Sequence, residues 1–306
     1  MPVKAVLVAG PTASGKSGAA LALALSLGGT VINADSMQVY LELKLLTARP
    51  NESDEVRATH RLYGIVTAAE AYSVGHWLDD VAAALGEAHE QGRVPILVGG
   101  TGLYFKVLTE GLAAVPDIPP EVRAYWREQA DVLSGKALHK ALAARDPAMA
   151  TRLSTADPQR IVRALEVVDS TGVSLAEWQG GIAAPMLAPG ETLRVVIAPE
   201  REPLYGAIDA RFDCMIEQGA IDEVSGLLKL ELDPGLPAMR AHGMRELGAY
   251  LSGAVSFDEA VVKAKTESRR YAKRQMTWAR RFMADWVWVP DADAAVAAVS
   301  NALSTR

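Results

Sequence analysis

The sequence predicts an α/β protein: a parallel sheet flanked by helices, with an all-helical segment inserted into it. Three observations carry this. Short apolar, β-prone runs recur at Ala5–Ala9, Thr30–Asn33, Pro95–Val98, Leu193–Ala198 and Trp286–Val289. Helix-like segments separate most of them, at Lys16–Leu27, Ser73–Gln91, Pro203–Gln218 and Phe257–Phe282. Between Pro116 and Pro189 there are several helix signals and no convincing strand. Wholly apolar strands alternating with helices imply a parallel sheet covered on both faces.

Taken in order, Ala5–Ala9 runs into a Gly-rich turn and then a helix. Thr30–Asn33 is followed closely by Asp35, and Pro95–Val98 runs into Gly99-Gly100-Thr101-Gly102. VPDIPPEVRAYW opens the inserted region and GGIAAPMLAPG closes it. Within TADPQRIVRALEVVDSTG, Asp157 suits the N-cap, Pro158 the first helical position and Gly172 the left-handed residue beyond the end. The expected organisation is a core of residues 1–115 and 190–306 with a helical insertion at 116–189.

Composition sets broad limits. Of 306 residues, 50% are hydrophobic and 22% charged, enough for a large core in a globular chain. Thirty-one basic against 37 acidic residues give a net charge of −6, which speaks weakly against nucleic acid, although where the charge sits matters more than its sum. The lone cysteine, Cys214, forms no intrachain disulfide and is expected to be a small buried hydrophobe. Five scattered histidines and the lack of Cys-x-x-Cys give no zinc site. The apolar N-terminus imitates a signal peptide, but Gly10, Pro11, Gly15 and Lys16 break the run, and Gly18–Gly29 is too short to span a bilayer. A cytosolic protein without membrane contact is expected.

Gly10-Pro11-Thr12-Ala13-Ser14-Gly15-Lys16-Ser17 fits G-x-x-x-x-G-K-S/T between a strand and a helix, the context the motif requires. The expected core is therefore P-loop NTPase-like. Backbone N–H groups and the helix N-terminus would cradle phosphate, Lys16 would neutralise its oxygens and Ser17 would ligate Mg²⁺. A ligand-free tight turn is the alternative. A Walker-type hydrolase usually carries an acid at the end of a second strand to hold Mg²⁺, but VPILVGG ends without one. Asp35 instead stands after the strand Thr30–Asn33. Ligands of open α/β sheets bind outside the carboxyl ends of strands, so the cradle, Asp35 and Thr101 should converge at one rim. A carboxylate facing a phosphate cradle suits a transferase that activates an acceptor nucleophile. Asp35 could instead cap a helix, and Thr101 serves equally as a substrate contact or a helix start.

SRRYAKRQMTWARRF carries Arg269, Arg270, Lys273, Arg274, Arg280 and Arg281 with no acid between them. Tyr271, Gln275, Trp278 and Phe282 share a face that is expected to pack on the core. The charges either form a solvated face or meet a polyanion. Arg160 and Arg163 could pair with local acids such as Glu166, and Arg211, between Asp209 and Asp213, reads by default as part of a surface ion pair.

Together GPTASGKS, DSMQVY, EAYSV, GGTGLY, DPQRIVRALEV, RFDCMIEQG and RRYAKRQMTWARR resemble, in order and over most of the chain, the tRNA dimethylallyltransferases, also called tRNA isopentenyltransferases. The resemblance implies transfer of a dimethylallyl group from dimethylallyl diphosphate to N6 of the adenine beside the anticodon, with Mg²⁺ and release of diphosphate. It makes Asp35 the general base, lets Thr101 place the amine and the diphosphate, and puts Arg211 on the diphosphate. It implies tRNA contacts at Asp35, Ser36, Met37, Gln38, Thr101, Arg123, Gln159, Arg160, Ile161, Val162, Arg163, Arg240, Arg245, Lys273, Arg274, Gln275, Trp278 and Arg280. The helical insertion would grip the anticodon stem-loop, and the adenine would flip out to react. A monomer with no obligate protein partner is expected.

Two departures stand out. The family's Gly-rich stretch ending in GTAKP is LELKLLTARP here, with Leu46 in place of a glycine, and the usual His-His pair is Thr59-His60. The competing readings are a small-molecule kinase of shikimate-kinase type, which needs neither the insertion nor the basic helix, and a nucleotide-gated RNA-binding protein, which needs no Asp35. The cradle would also admit a nucleoside triphosphate.

Overall fold

The computed structural model describes residues 3–181 and 184–305, so Ile182 and Ala183 of the closing GGIAAPMLAPG stretch lie outside the described residues. Among the described residues, six strands form one sheet: β1 Ala5–Ala9, β2 Thr30–Asn33, β3 Thr59–Arg61, β4 Pro95–Gly99, β5 Thr192–Ile197 and β6 Val287–Val289. Every pairing is parallel, and the spatial order is β3-β2-β4-β1-β5-β6. The helices are α1 Lys16–Leu27, α2 Glu52–Arg57, α3 Val74–Glu90, α4 Gly102–Glu110, α5 Pro120–Val132, α6 Gly135–Arg145, α7 Pro147–Ala150, α8 Pro158–Thr171, α9 Leu175–Trp178, α10 Arg201–Glu217, α11 Ala220–Leu228, α12 Met244–Leu251, α13 Phe257–Phe282 and α14 Ala292–Ser304.

Strand residues alternate between the two faces of a sheet. Val6, Val8, Val31, Ile96, Val98, Val195 and Ile197 form one buried cluster with Ala20 and Leu23 of α1 and Ala295 and Val299 of α14. Leu7, Ile32 and Leu97, the intervening residues, are also fully buried, and α3 packs on β2 and β4. Burial of both faces explains why these strands read as unbroken apolar runs. β3 escapes a sequence reading because it is a three-residue edge strand of half-buried polar side chains, Thr59, His60 and Arg61. Its Arg61 gives Glu87 of α3 a two-pronged bond of 2.9 and 2.5 Å.

The chain divides into two compact units, residues 1–109 with 187–306, and residues 110–186. The second unit is offset by a few residues from the proline-marked 116–189. The chain leaves the first unit before the prolines, and where it returns the Leu187 N–H donates to Leu108 C=O. Within the second unit, Trp126, Leu138, Leu142, Ile161 and Leu165 pack together. Its buried Asp146 accepts from the N–H groups of Met149 and Leu175 and from the Ser174 hydroxyl, tying α7 to α9. Asp157 caps α8, accepting from Arg160 N–H, and Gly172 ends it in the left-handed region at φ 69°.

Candidate active site

The strands β2, β4 and β1 are neighbours, so the loops that leave their carboxyl ends start side by side. The loop after β1 closes on itself. Ser14 N–H donates to Pro11 C=O at 3.3 Å, and Ala13 and Gly15 take left-handed φ of 62° and 83°. Successive turns of this kind aim backbone N–H groups into one concavity, and α1 begins at Lys16 with its dipole pointing the same way. Lys16 Nζ donates to Pro11 C=O at 3.1 Å. Desolvation lowers its pKa to about 8, against the pull of Asp35 and with the push of Arg211. Ser17 is exposed at the first turn of α1.

Arg211 is not the surface ion-pair partner expected from its neighbours. Asp209 is taken by Arg269 at 2.6 Å and Asp213 by Lys265 at 2.6 Å. Arg211 points instead to the cradle and donates to the Thr12 hydroxyl. Burial holds its pKa below the usual arginine range, with Asp35 acting in the opposite sense. On the same helix Cys214 is exposed rather than buried, because Ile208, Arg211, Phe212 and Met215 form the inward row.

Asp35 caps no helix. Its Oδ1 accepts from the Met37 N–H at 3.0 Å within a non-helical loop, and its side chain lines an open cavity together with Thr12, Arg211, His242 and Tyr271. Asn33, which from sequence is only the last residue of a strand, holds it there. Asn33 Oδ1 accepts from Asp35 N–H at 2.8 Å, and Nδ2 donates to Asp35 C=O and Leu62 C=O at 2.9 and 3.0 Å. Asn33 is fully buried, and Trp77 Nε1 donates to its C=O at 3.0 Å. Thr101 joins two loops: its hydroxyl oxygen accepts from Ser36 N–H at 2.9 Å, and its own N–H reaches Ala34 C=O at 3.3 Å. The glycines beside it allow close approach. A Cβ on Gly99 would collide with the Ala34 backbone, and one on Gly102 with the Trp278 ring.

Gln275 bridges the cradle to this turn. Its Oε1 accepts from Thr12 N–H at 2.9 Å, and its Nε2 donates to Gly100 C=O at 2.9 Å. The expected core stripe of α13 shifts accordingly. Ala260, Ala264, Ala272, Met276 and Ala279 face the core, because small residues let the helix lie close, whereas Tyr271, Gln275, Trp278 and Phe282 are half-buried beside it. Tyr271 and Gln275 thereby face the site.

The basic residues divide as well. Arg269 and Arg270 are paired, Arg270 with Glu267 at 2.6 Å, an acid that stands just before the basic stretch. Among the described residues, Lys273, Arg274, Arg280 and Arg281 are exposed and have no carboxylate within ion-pair distance. Arg280 and Arg281 also stand in the last turn of α13, where the helix dipole favours cations. Arg240 and Arg245 are exposed near the start of α12. Gln38 spends its amide donor on the C=O groups of Thr47 and Ala48, at 2.8 and 3.1 Å, so it shapes the loop rather than offering a free amide N–H.

In the second unit Arg123 is half-buried, and Gln159, Arg160 and Arg163 are exposed, the two arginines facing Asp157 and Glu166 at 3.9 and 3.5 Å. Val162 is half-buried. Ile161 is fully buried in that unit's own core, which removes its side chain from the contact surface the sequence suggested.

Among the described residues, no helix is long and apolar enough to cross a membrane, and no three His, Cys, Asp or Glu side chains gather as a metal site.

A family model described as IPP transferase matches residues 38–282. A protein named tRNA dimethylallyltransferase from Rhodopseudomonas palustris strain BisB18 is 52% identical over 94% of this chain and 92% of its own. One of the same name from Bradyrhizobium sp. strain ORS 278 is 51% identical over 94% and 93%. Among solved structures, a full-length tRNA isopentenylpyrophosphate transferase from Bacillus halodurans is similar with a TM-score of 0.70, 32% identity and coverage of 98% and 95%. A eukaryotic dimethylallyltransferase acting on tRNA is similar with a TM-score of 0.80, 25% identity and coverage of 94% and 73%. With Thr12 of the Gly-rich loop and Asp35 lining one cavity, and a family match over most of its length, the chain belongs to the IPP transferase family.

Proposed function

We propose that the protein transfers a dimethylallyl group from dimethylallyl diphosphate to N6 of the adenine beside the anticodon in tRNA. The observation that carries this is the meeting of Thr12 and Arg211, at the edge of the cradle, with Asp35 in one cavity whose other walls include Met37, Ile208, Phe212 and Met215. Such a cavity suits a donor with a charged head and a short apolar tail. Relatives named for action on tRNA direct the acceptor end of the reading.

The diphosphate is the leaving group. The allylic C1–O bond breaks and its electron pair goes to the diphosphate, while the N6 lone pair forms the new C–N bond. Negative charge grows on the diphosphate during this step, so the cradle N–H groups, Lys16 and Arg211 stabilise the transition state more than the bound donor. The N6 proton passes to the Asp35 carboxylate and then to solvent, which balances the reaction as N6-prenyladenine, diphosphate and one proton. Asn33 fixes the backbone of Asp35, and the Thr101 hydroxyl, through its hold on Ser36, fixes the loop beside it.

Mg²⁺ would be held by the Ser17 hydroxyl, which is exposed and so compatible with the oxygen-rich, mostly non-protein shell that Mg²⁺ prefers. When bound it would supply charge to the leaving diphosphate. The part of an RNA platform falls on the exposed Lys273, Arg274 and Arg280, which would meet phosphates of the tRNA and make binding weaken with salt.

The test is incubation with unmodified tRNA, labelled dimethylallyl diphosphate and Mg²⁺, followed by nucleoside analysis. Label in N6-dimethylallyladenosine is the expected result. Phosphoryl transfer from ATP to a small alcohol, with no prenylated nucleoside, would overturn the reading.

A further inference from the structure

We propose that Leu46 sets the length of isoprenoid the cavity accepts, by acting as a rigid stop opposite the cradle; this rests on the prenyl transfer proposed above. The inward row of α10 gives the cavity its polarity. Arg211 reaches Thr12 at the cradle, whereas Phe212 and Met215 belong to the buried apolar cluster. Leu46 joins them: it lines the same cavity and is only 7% exposed. Its Cδ2 and the Phe212 ring lie side by side against Gly243, where an added Cβ would be 3.1 and 3.2 Å from them. Val224 and Leu247, both fully buried, belong to the same packed cluster as Leu46 and Phe212, so the cavity cannot deepen into that cluster without displacing packed side chains.

The stop is also pinned. Glu223 of α11 accepts from three successive backbone N–H groups, Lys44, Leu45 and Leu46, at 2.9, 2.7 and 3.0 Å. On the other side, Gln38 holds the carbonyls of Thr47 and Ala48, and the Thr47 hydroxyl donates to Leu43 C=O at 2.7 Å. A wall on a free loop could yield to a longer chain, but this one is anchored from α11 and from its own base. With the diphosphate fixed in the cradle, a second isoprene unit has to advance into Leu46 and Phe212. Glycine, which the family resemblance places at this position, would leave that space open.

The experiment compares dimethylallyl and geranyl diphosphate as donors to unmodified tRNA, measuring kcat/KM for each in the wild type, Leu46→Ala, Leu46→Val and Glu223→Gln. The wild type should prefer the five-carbon donor by about 100-fold or more, and Leu46→Ala should narrow that ratio by about tenfold, the scale on which a hydrophobic pocket senses added methylenes. Leu46→Val should narrow it by about threefold and carries the test should the alanine variant not fold. Glu223→Gln touches no donor atom, so a narrowed ratio there reports the pinned wall rather than lost stability. A ratio unchanged in the folded Leu46 variants, with normal five-carbon product, would overturn the role of Leu46 alone. Absence of prenylated adenosine with either donor in the wild type would overturn the transferase reading itself.

Discussion

The loops that follow β1 and β2 meet at one rim, yet they are held in opposite ways. The cradle, Gly10–Gly15, is closed by its own backbone, by two left-handed residues and by the helix it opens, with Gln275 as a remote support. The loop from Ala34 to Pro50 has almost no regular structure, and its fixed points come largely from elsewhere: Asn33 at its base, Thr101 on Ser36, the chain at Gly64–Val66, and Glu223 on residues 44–46. A general anion site can be encoded in eight consecutive residues. The cavity that Asp35 lines is instead shaped by side chains from several elements.

The comparison breaks most visibly at Lys16. Lys16→Ala should leave the cradle backbone folded but lower kcat/KM about 10²–10³-fold, the usual loss for one charge-stabilising donor, in steady-state assays over donor concentration. The second loop should respond in stability instead. Asn33→Ala removes partners from the Asp35 N–H, the Asp35 C=O and the Leu62 C=O, and should cost about 2–4 kcal/mol in denaturant unfolding. Glu223→Ala should cost about 1–3 kcal/mol, since its three amide partners are only partly buried and water can replace it.

The smallest effect is a pH dependence. Lys16 titrates near 8 in the folded protein and near 10.5 when unfolded. Above pH 8 the free protein loses the charge proposed to bind diphosphate, so donor affinity should fall, by about tenfold from pH 8 to pH 9.5, and Lys16→Arg should flatten the profile. Stability runs the other way. Between pH 8 and 10.5 the unfolded chain binds more protons than the folded one, so this residue's unfavourable burial is relieved as pH rises through that window. Parallel decline of both quantities would contradict the assignment.

What could be read in the sequence follows the same division. β1, β2, β4 and β5, the long helices and the whole cradle are specified by local pattern, and they were legible. Thr59–Arg61 was not, because three half-buried polar residues become a strand only beside β2. Arg211 looked like a surface residue because its two acidic neighbours in sequence are its companions, until Arg269 and Lys265 are seen to claim them. Asn33 was illegible for a related reason: an asparagine after an apolar run reads as the end of a strand, and only the fold brings Leu62 and Trp77 to it. Leu46 was visible as a departure from the family pattern, but its neighbours Phe212, Gly243 and Glu223 are distant in sequence.

The central claim is that Asp35 takes the N6 proton as the donor carbon leaves its diphosphate. Asp35→Asn tests it most directly, because the amide oxygen can still accept from the Met37 N–H and keep the loop in place. Single-turnover transfer of labelled dimethylallyl to unmodified tRNA, measured beside tRNA affinity, should fall about 10²–10⁴-fold while affinity stays within about threefold. Transfer at the wild-type rate by this variant would contradict the account.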